Sequence, residues 1–169
     1  MSWYAFAADS MLPMLAALSL LLVGLHVSPA VKLPVKKTLS LDAIKVMISA
    51  SEAEAAKRNV HVTICVVDES GNLLFLEKGD GATLNTIQFA QKKARHSALY
   101  GSPSKNGADT VKNGNVGALA FPEFFPNQGG LPIKVDGQTI GGIAASGAKS
   151  EIDEAVAQAG LDALLKQLE

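Results

Sequence analysis

A glycine-rich segment, residues 127–147, constrains the fold more than any other part of this sequence. It reads NQGGLPIKVDGQTIGGIAASG, in which two β-rich runs flank the dipeptide Asp136-Gly137. Asp-Gly between such runs is a strong signal for a β-hairpin, because glycine adopts without steric cost the positive φ that a type I′ turn needs. The segment holds more glycines than the turn requires: Gly129, Gly130, Gly141, Gly142 and Gly147. These indicate close approach of the backbone to a ligand, another strand or a partner subunit.

The composition predicts one domain and argues against several kinds of site. The 169 residues suffice for a single core, and 15 basic residues nearly cancel 16 acidic ones. Because no excess of positive charge is available to neutralise phosphates, we expect no nucleic-acid partner. Cys65 is the only cysteine, so the chain can form no internal disulfide and we expect no cysteine-based zinc site.

The first 30 residues predict a cleaved export signal. Residues 12–25 are an uninterrupted run without charged residues, shorter than the roughly 20 apolar residues that a membrane span needs. Ser28 and Ala30 supply the small residues of a cleavage site. Residues 1–10 contain Asp9 but no Lys or Arg, which keeps an uncleaved N-terminal anchor open as the alternative. Cleavage after Ala30 implies a periplasmic or secreted protein without a stable membrane span.

The rest of the chain predicts an extended lead-in, residues 31–39, followed by one domain, residues 40–169. Ser40 is the expected N-cap of the first helix and Asn59 the residue that ends it. The patterning then predicts two strands, a helix, three strands and a last helix, over residues 60–67, 73–78, 83–100, 116–121, 132–135, 138–147 and from 150 onward. This order, α-ββ-α-βββ-α, is typical of an α+β fold with an antiparallel sheet flanked by helices. Residues 101–114 show no periodicity and are expected to form a polar loop.

The second predicted helix carries the best candidate for a binding site. Phe89, Lys92 or Lys93, His96 and Tyr100 follow each other at spacings of three or four residues and so share one helix face. An imidazole, two aromatic rings and a cation together suit a flat, apolar, anionic ligand. The alternative is a solvated face with an incidental histidine. A separate stripe of small residues is expected to pack against the rest of the domain: Ala90, Ala94, Ser97 and Gly101.

Other chemistry-bearing residues fit no known catalytic pattern. Neither Ser70 nor Ser146 matches a nucleophile elbow, and the histidines lack the spacing of a metal site. Asp68 and Asp80 adjoin glycine-bearing turns, where aspartate usually caps the turn. Cys65 lies within a strand and is expected to be a small buried hydrophobic residue.

Several short motifs, taken in order, resemble the GlcG/HbpS-like haem-binding family, which includes the domain fused to PduO-type cobalamin adenosyltransferases. The motifs are Val66-Val67-Asp68 with Gly71, Gly79-Asp80-Gly81-Ala82, Lys93-Ala94, Gly129-Gly130-Leu131-Pro132-Ile133, Gly137, Ile140-Gly141-Gly142-Ile143, Ser146-Gly147, and Asp153 with Gly160. The resemblance covers residues 40–168. No single motif is specific to the family, but their order and spacing together are.

The resemblance implies an α+β fold with a five-stranded antiparallel sheet, assembly as a homo-oligomer (an octamer in relatives), and haem as the ligand of several members. In the family, a lysine-alanine-x-threonine-alanine segment of the second helix is tied to haem contact. Here the segment reads Lys93-Ala94-Arg95-His96-Ser97, so that histidine replaces threonine. Imidazole is a far better iron ligand than a hydroxyl group.

We therefore hypothesise an exported protein that binds haem or another tetrapyrrole and takes part in haem sensing, storage or degradation. His96 is the candidate axial ligand of the haem iron. The candidate propionate partners are Lys92, Lys93 and Arg95, and Phe89 and Tyr100 are the candidate apolar walls.

Two other functions remain open at this point. The first is an enzyme or binding module for a small organic acid, as in glycolate-type metabolism, which uses Asp68 or Asp80 with Lys93. The second is a ligand-free oligomeric module that binds a partner protein through the face of its sheet.

Overall fold

The computed structural model describes residues 31–168, which contain four α-helices and four β-strands. The predicted export signal, residues 1–30, lies outside the described residues. Residues 31–34 belong to a first unit that ends at Pro34; they are exposed and have no regular secondary structure. The second unit contains every element described below.

The elements follow one another with short connections. Their bounds are α1 (Leu41–Lys57), β1 (Thr63–Asp68), β2 (Leu73–Lys78), α2 (Asn85–Tyr100), α3 (Ser104–Lys112), a 3₁₀ helix (Val116–Ala120), β3 (Gly130–Val135), β4 (Gln138–Ser146) and α4 (Ser150–Leu165).

The strands form one antiparallel sheet in the order β2-β1-β4-β3. The predicted hairpin is confirmed: β3 and β4 pair directly, and Asp136 and Gly137 both have positive φ, 50° and 75°, as a type I′ turn requires. The second hairpin strand, β4, is an inner strand that pairs with β3 on one side and with β1 on the other. One of its small residues, Gly142, lies against the backbone of α2.

Both faces of the sheet are covered by helices. On one face, Ile64 and Val66 of β1 join a core with residues of α1 and α4, including Met47 and Val156. On the other face, Cys65, Val67 and Ala144 meet Ala90, Ala94 and Ala98 of α2. Successive residues of β1 thus face opposite helical layers, and the prediction that Cys65 is a small buried residue is confirmed. The helices cover the inner strands β1 and β4 on both faces, whereas no residue of the edge strand β2 is fully buried.

The local signals at the first helix are confirmed. The Ser40 hydroxyl accepts a hydrogen bond from the Ala43 N–H at 3.2 Å, which caps the helix. Asn59 follows the helix end with a φ of 52°, the left-handed conformation expected there.

The prediction of five strands is wrong, because residues 116–121 form no strand. Val116–Ala120 is a 3₁₀ helix in which only Ala118 is buried. The run shows no alternation, contains the helix-favouring residues alanine and leucine, and ends at Pro122, so nothing holds it extended beside the sheet.

One further expectation is corrected. The predicted loop 101–114 contains the helix α3, whose buried residues are the small Ser104 and Gly107, so that no apolar periodicity marks it. At the start of the last helix, Asp153 accepts a hydrogen bond from the Ala148 N–H at 2.9 Å and binds Lys93.

Candidate functional site

The small residues of α2 place this helix directly on the sheet. Ala90, Ala94 and Ser97 are fully buried, as predicted for the packing stripe, whereas its fourth member, Gly101, lies at the helix end and is partly buried. A Cβ atom built on Gly142 would lie 2.3 Å from the Ala94 carbonyl oxygen, and one built on Gly130 would lie 2.4 Å from the Lys93 carbonyl oxygen. These two glycines of the glycine-rich segment 127–147 therefore let the strand and helix backbones touch. This contact fixes the position of the other α2 side chains.

The loop of residues 121–126 (FPEFFP) lies against α2 and is tied to it by polar contacts. Arg95 donates two hydrogen bonds of 2.9 Å to the Glu123 carboxylate and a third, of 2.6 Å, to the Gly71 carbonyl oxygen. The hydrogen bond with Arg95 lowers the pKa of Glu123. The Tyr100 hydroxyl donates to the Pro122 carbonyl oxygen at 2.7 Å. The predicted propionate partner Arg95 thus already has an anionic partner within the chain.

His96 lies beneath this loop and is 1% exposed. Its Nδ1 accepts a hydrogen bond from the Phe125 N–H at 3.0 Å. The ring stacks on Tyr100 with centroids 4.7 Å apart and meets the edge of Phe124 at 5.1 Å. A Cβ atom built on Gly107 would lie 2.9 Å from the His96 Cε1, so α3 closes over the ring as well.

The surroundings of His96 fix its protonation. Burial lowers the pKa of the imidazole, which favours the neutral ring. Because Nδ1 accepts the Phe125 N–H, the one proton of the neutral ring belongs on Nε2.

Above the buried histidine, aromatic side chains and a lysine form an exposed surface. The rings of Phe89 and Phe125 lie 5.9 Å apart, and the Lys92 Nζ lies 5.6 Å from the centre of the Phe125 ring. A cavity of about 250 Å³ opens between Lys92, Glu123, Phe124 and Phe125. The surface offers flat apolar contact together with the exposed cation of Lys92.

Lys93 points away from this surface into the domain. It is 2% exposed and donates hydrogen bonds to the Asp153 carboxylate at 2.7 Å and to the Ala145 carbonyl oxygen at 3.2 Å. Burial raises the pKa of Asp153, although Lys93 acts in the opposite direction. A Cβ atom on Gly129 would lie 2.9 Å from the Lys93 Nζ, so the glycine makes room for the ammonium group.

The structure therefore divides the six predicted site residues. Phe89, Lys92 and Tyr100 are exposed and line the same side of α2, whereas Arg95 is engaged with the loop. His96 lies below the loop, and Lys93 lies on a different side of the helix, bound to α4.

Sequence reasoning missed the part of the site that comes from the loop. Glu123, Phe124 and Phe125 lie close to α2 in space but more than 20 residues away in sequence. The adjacent phenylalanines flanked by prolines were the one available signal. Asp153 was missed as the partner of Lys93 because the two lie 60 residues apart.

The other candidates have structural roles. Asp68 accepts hydrogen bonds from the N–H groups of Ser70 and Asn72 at 2.9 and 2.8 Å, so the prediction that it caps a turn is confirmed. Burial raises the pKa of the Cys65 thiol to about 12, which leaves it unreactive.

Within residues 31–168, no three histidine, cysteine or acidic side chains are grouped as a metal site would need. None of the described helices is both long and apolar enough to cross a membrane.

Comparison with known proteins places these features in a family. A family model described as haem degrading protein HbpS-like matches residues 39–162. Protein GlcG of Escherichia coli K12 is 35% identical over 111 residues, which are 66% of this chain and 83% of GlcG.

Solved structures share the fold over most of the described domain. Klebsiella pneumoniae protein ORFY has a TM-score of 0.75 at 28% identity and covers 82% of this chain and 98% of its own. A double mutant of Streptomyces reticuli HbpS has a TM-score of 0.71 at 28% identity, over 79% of this chain and 93% of that one. With its family match spanning α1 to α4, this chain belongs to the HbpS-like family.

Proposed function

We propose that this protein binds haem or another flat tetrapyrrole on the exposed surface formed by Phe89, Lys92 and Phe125. The observation that carries the proposal is the arrangement of two aromatic rings 5.9 Å apart beside an unburied lysine. Aromatic rings pack against a macrocycle, and a lysine pairs with its carboxylates. The description of the family as haem-degrading supports the same ligand class.

The residues of the exposed surface suit haem, whereas the buried His96 does not. Phe89, Phe125 and Lys92 suit the apolar ring and the carboxylates of haem, whose iron would supply redox chemistry when bound. His96 does not fit as an iron ligand in this arrangement. An iron-bound neutral imidazole needs a free lone pair on one nitrogen and its proton on the other, but here Nδ1 accepts the Phe125 N–H and Nε2 carries the proton. Iron ligation by His96 therefore requires the hydrogen bond to Phe125 to break.

Titration of the full chain with hemin, followed by Soret absorbance, tests the proposal. We expect saturable binding, weakened by about tenfold in Lys92→Glu through loss and reversal of one charge. Lys112→Glu makes the same charge change at an exposed position on α3 and is expected to leave the affinity unchanged. If both variants bind hemin with the affinity of the wild type, the exposed surface is not the binding site.

The ligand role of His96 needs its own comparison. If His96 binds iron, His96→Ala shifts the Soret maximum of the complex, whereas His61→Ala, at an exposed histidine, leaves it in place. An unshifted spectrum in His96→Ala would refute ligation by this histidine while leaving the surface proposal intact.

We also propose that the protein is exported and assembles with copies of itself. The apolar run and the small residues before Val31 support export. Exposed large apolar side chains support assembly: Leu84, just before α2, is 79% exposed and Phe121, just after the 3₁₀ helix, is 59% exposed. Mass spectrometry of the protein from the extracytoplasmic fraction is expected to find Val31 as its first residue, and light scattering is expected to give a multiple of the chain mass. A monomer that retains its first 30 residues would contradict both parts.

The structure gives less support to a small-acid enzyme. Lys93 binds Asp153, and Asp68 accepts hydrogen bonds within its own turn. Among the described residues, no contact joins Lys93 to Asp68 or Asp80, as the small-acid hypothesis would need.

A further inference from the structure

A second cavity, of about 610 Å³, lies on the opposite side of the sheet from α2. Its walls come from the lead-in, the start of α1, the β3–β4 hairpin and the end of α4. This volume falls within the range of small-ligand pockets, which is roughly 300–1,000 Å³. The cavity shares no lining residue with the surface around Phe125.

The lining of the second cavity is mainly apolar. Leu39, Ile140, Leu164 and Leu168 contribute hydrocarbon surface, and Ala43 leaves space on the α1 side. Leu168 is 56% exposed, so part of this surface is open to water. Covering it with the hydrocarbon part of a ligand would be favourable.

The charged residues of the second cavity determine which sign of charge a bound ligand should carry. Lys37 and Lys134 both line it, and among the described residues Asp136 is the only acidic one in the lining. Lys37 forms an ion pair with Asp136, whereas Lys134 has no ionic partner among the described residues. One uncompensated positive charge therefore remains beside the apolar lining, and it favours a single negative charge over a cation.

The lead-in holds one wall of the second cavity in place. Lys36 pairs with Glu69 of the β1–β2 turn, while Lys37 pairs with Asp136 at the hairpin tip. Leu39 packs against the main core close to Gly141, where an added Cβ would lie 2.8 Å from the leucine Cδ1. The wall is thus built by specific contacts with the sheet.

From this combination we infer that the second cavity binds a medium-chain aliphatic carboxylate. The hydrocarbon chain packs against Leu39, Ile140 and Leu164, and the carboxylate pairs with Lys134. The Ser40 hydroxyl is not assigned to the carboxylate, because it already caps α1.

Calorimetric titration of the purified full chain with decanoate tests this inference. We expect saturable binding that weakens by about tenfold in Lys134→Glu. Lys45→Glu, an exposed lysine of α1 outside the cavity, is the matched control and is expected to bind as the wild type does. Decyltrimethylammonium is expected to bind at least tenfold more weakly than decanoate. Failure of decanoate to bind, or equal binding of both chain ligands, would overturn the inference.

A space-filling variant tests the location independently of charge. Ala43→Phe fills the second cavity and is expected to abolish decanoate binding, whereas Ala53→Phe, at an exposed position of the same helix, is expected to preserve it. Unchanged binding by a folded Ala43→Phe would place the ligand elsewhere and refute the site. Hemin binding is expected to be unaffected by Lys134→Glu, so failure at one site is distinguishable from failure at the other.

Discussion

At the scale of single residues, the buried imidazole of His96 makes stability depend on pH. Burial lowers the pKa of His96 in the folded state, whereas the unfolded chain titrates near its ordinary value of about 6.5. Below that value the unfolded state takes up a proton that the folded state excludes. The free energy of unfolding therefore falls as pH decreases from about 6.5 to the folded-state pKa, by at most about 1.4 kcal/mol per pH unit, and this contribution is then constant.

Urea unfolding near pH 7.5 and near pH 5.5 measures this effect. His96→Asn removes the titrating group and keeps an acceptor for the Phe125 N–H, so we expect a smaller pH difference than in wild type. His61→Asn, at an exposed position, is expected to retain the full difference. An identical pH dependence in His96→Asn and wild type would show that His96 is not held neutral by burial.

At the scale of elements, the contact between β4 and α2 depends on Gly142. An alanine Cβ there would approach the Ala94 carbonyl oxygen to 2.3 Å, and this backbone atom cannot turn aside as a side chain can. Gly142→Ala must therefore displace α2 from the sheet. We expect a loss of about 1–3 kcal/mol in the free energy of unfolding, measured by urea denaturation.

Gly117→Ala is the control for the effect of an added methyl group. The nearest atom to a Cβ at Gly117 is the Asn115 side-chain oxygen, at 3.7 Å, so we expect a change within about 0.5 kcal/mol. Weaker hemin binding in Gly142→Ala but not in Gly117→Ala is also expected, because α2 carries Phe89 and Lys92. Equal stability of the two variants would contradict the close contact seen between strand and helix.

Elements with strong local signals could be predicted from the sequence. The Ser40 cap, the left-handed Asn59 and the Asp136-Gly137 turn are each determined by one or two residues, and all are present. The helix α3 and the 3₁₀ segment could not be predicted, because their buried positions are Ser104, Gly107 and Ala118 rather than large apolar residues. Small residues give no periodic signal, even where they pack closely.

The candidate site could be predicted only on its helical side. Helix spacing placed Phe89, His96 and Tyr100 on one side of α2, and the structure keeps Phe89 and Tyr100 exposed there. Spacing could not show that the loop of residues 121–126 covers His96, because that contact joins distant parts of the chain. Helix spacing could not decide whether Lys92 or Lys93 lies on this side of α2. The structure shows that Lys92 is exposed and that Lys93 is buried.

At the scale of the whole molecule, the pair of Lys93 and Asp153 joins the two helical layers across the sheet. Lys93 belongs to α2 on one face, Asp153 to α4 on the other, and both side chains are 2–3% exposed. Lys93→Met would leave the Asp153 carboxylate buried without its cation. We expect a loss of about 3–5 kcal/mol in the free energy of unfolding. Lys92→Met, the adjacent exposed lysine, is expected to cost less than about 0.5 kcal/mol.

The double variant Lys93→Met/Asp153→Asn separates the pair from simple loss of packing. Asparagine removes the unpaired charge and keeps an oxygen for the Ala148 N–H, which Asp153 binds at 2.9 Å. We therefore expect the double variant to be more stable than Lys93→Met alone, with urea midpoints compared at constant pH. If the single and double variants have the same urea midpoint, the loss of stability arises from the lost contacts of the lysine hydrocarbon chain. If the double variant recovers, an ionic contact within the domain explains why Lys93 is unavailable to a ligand while Lys92 remains free to bind one.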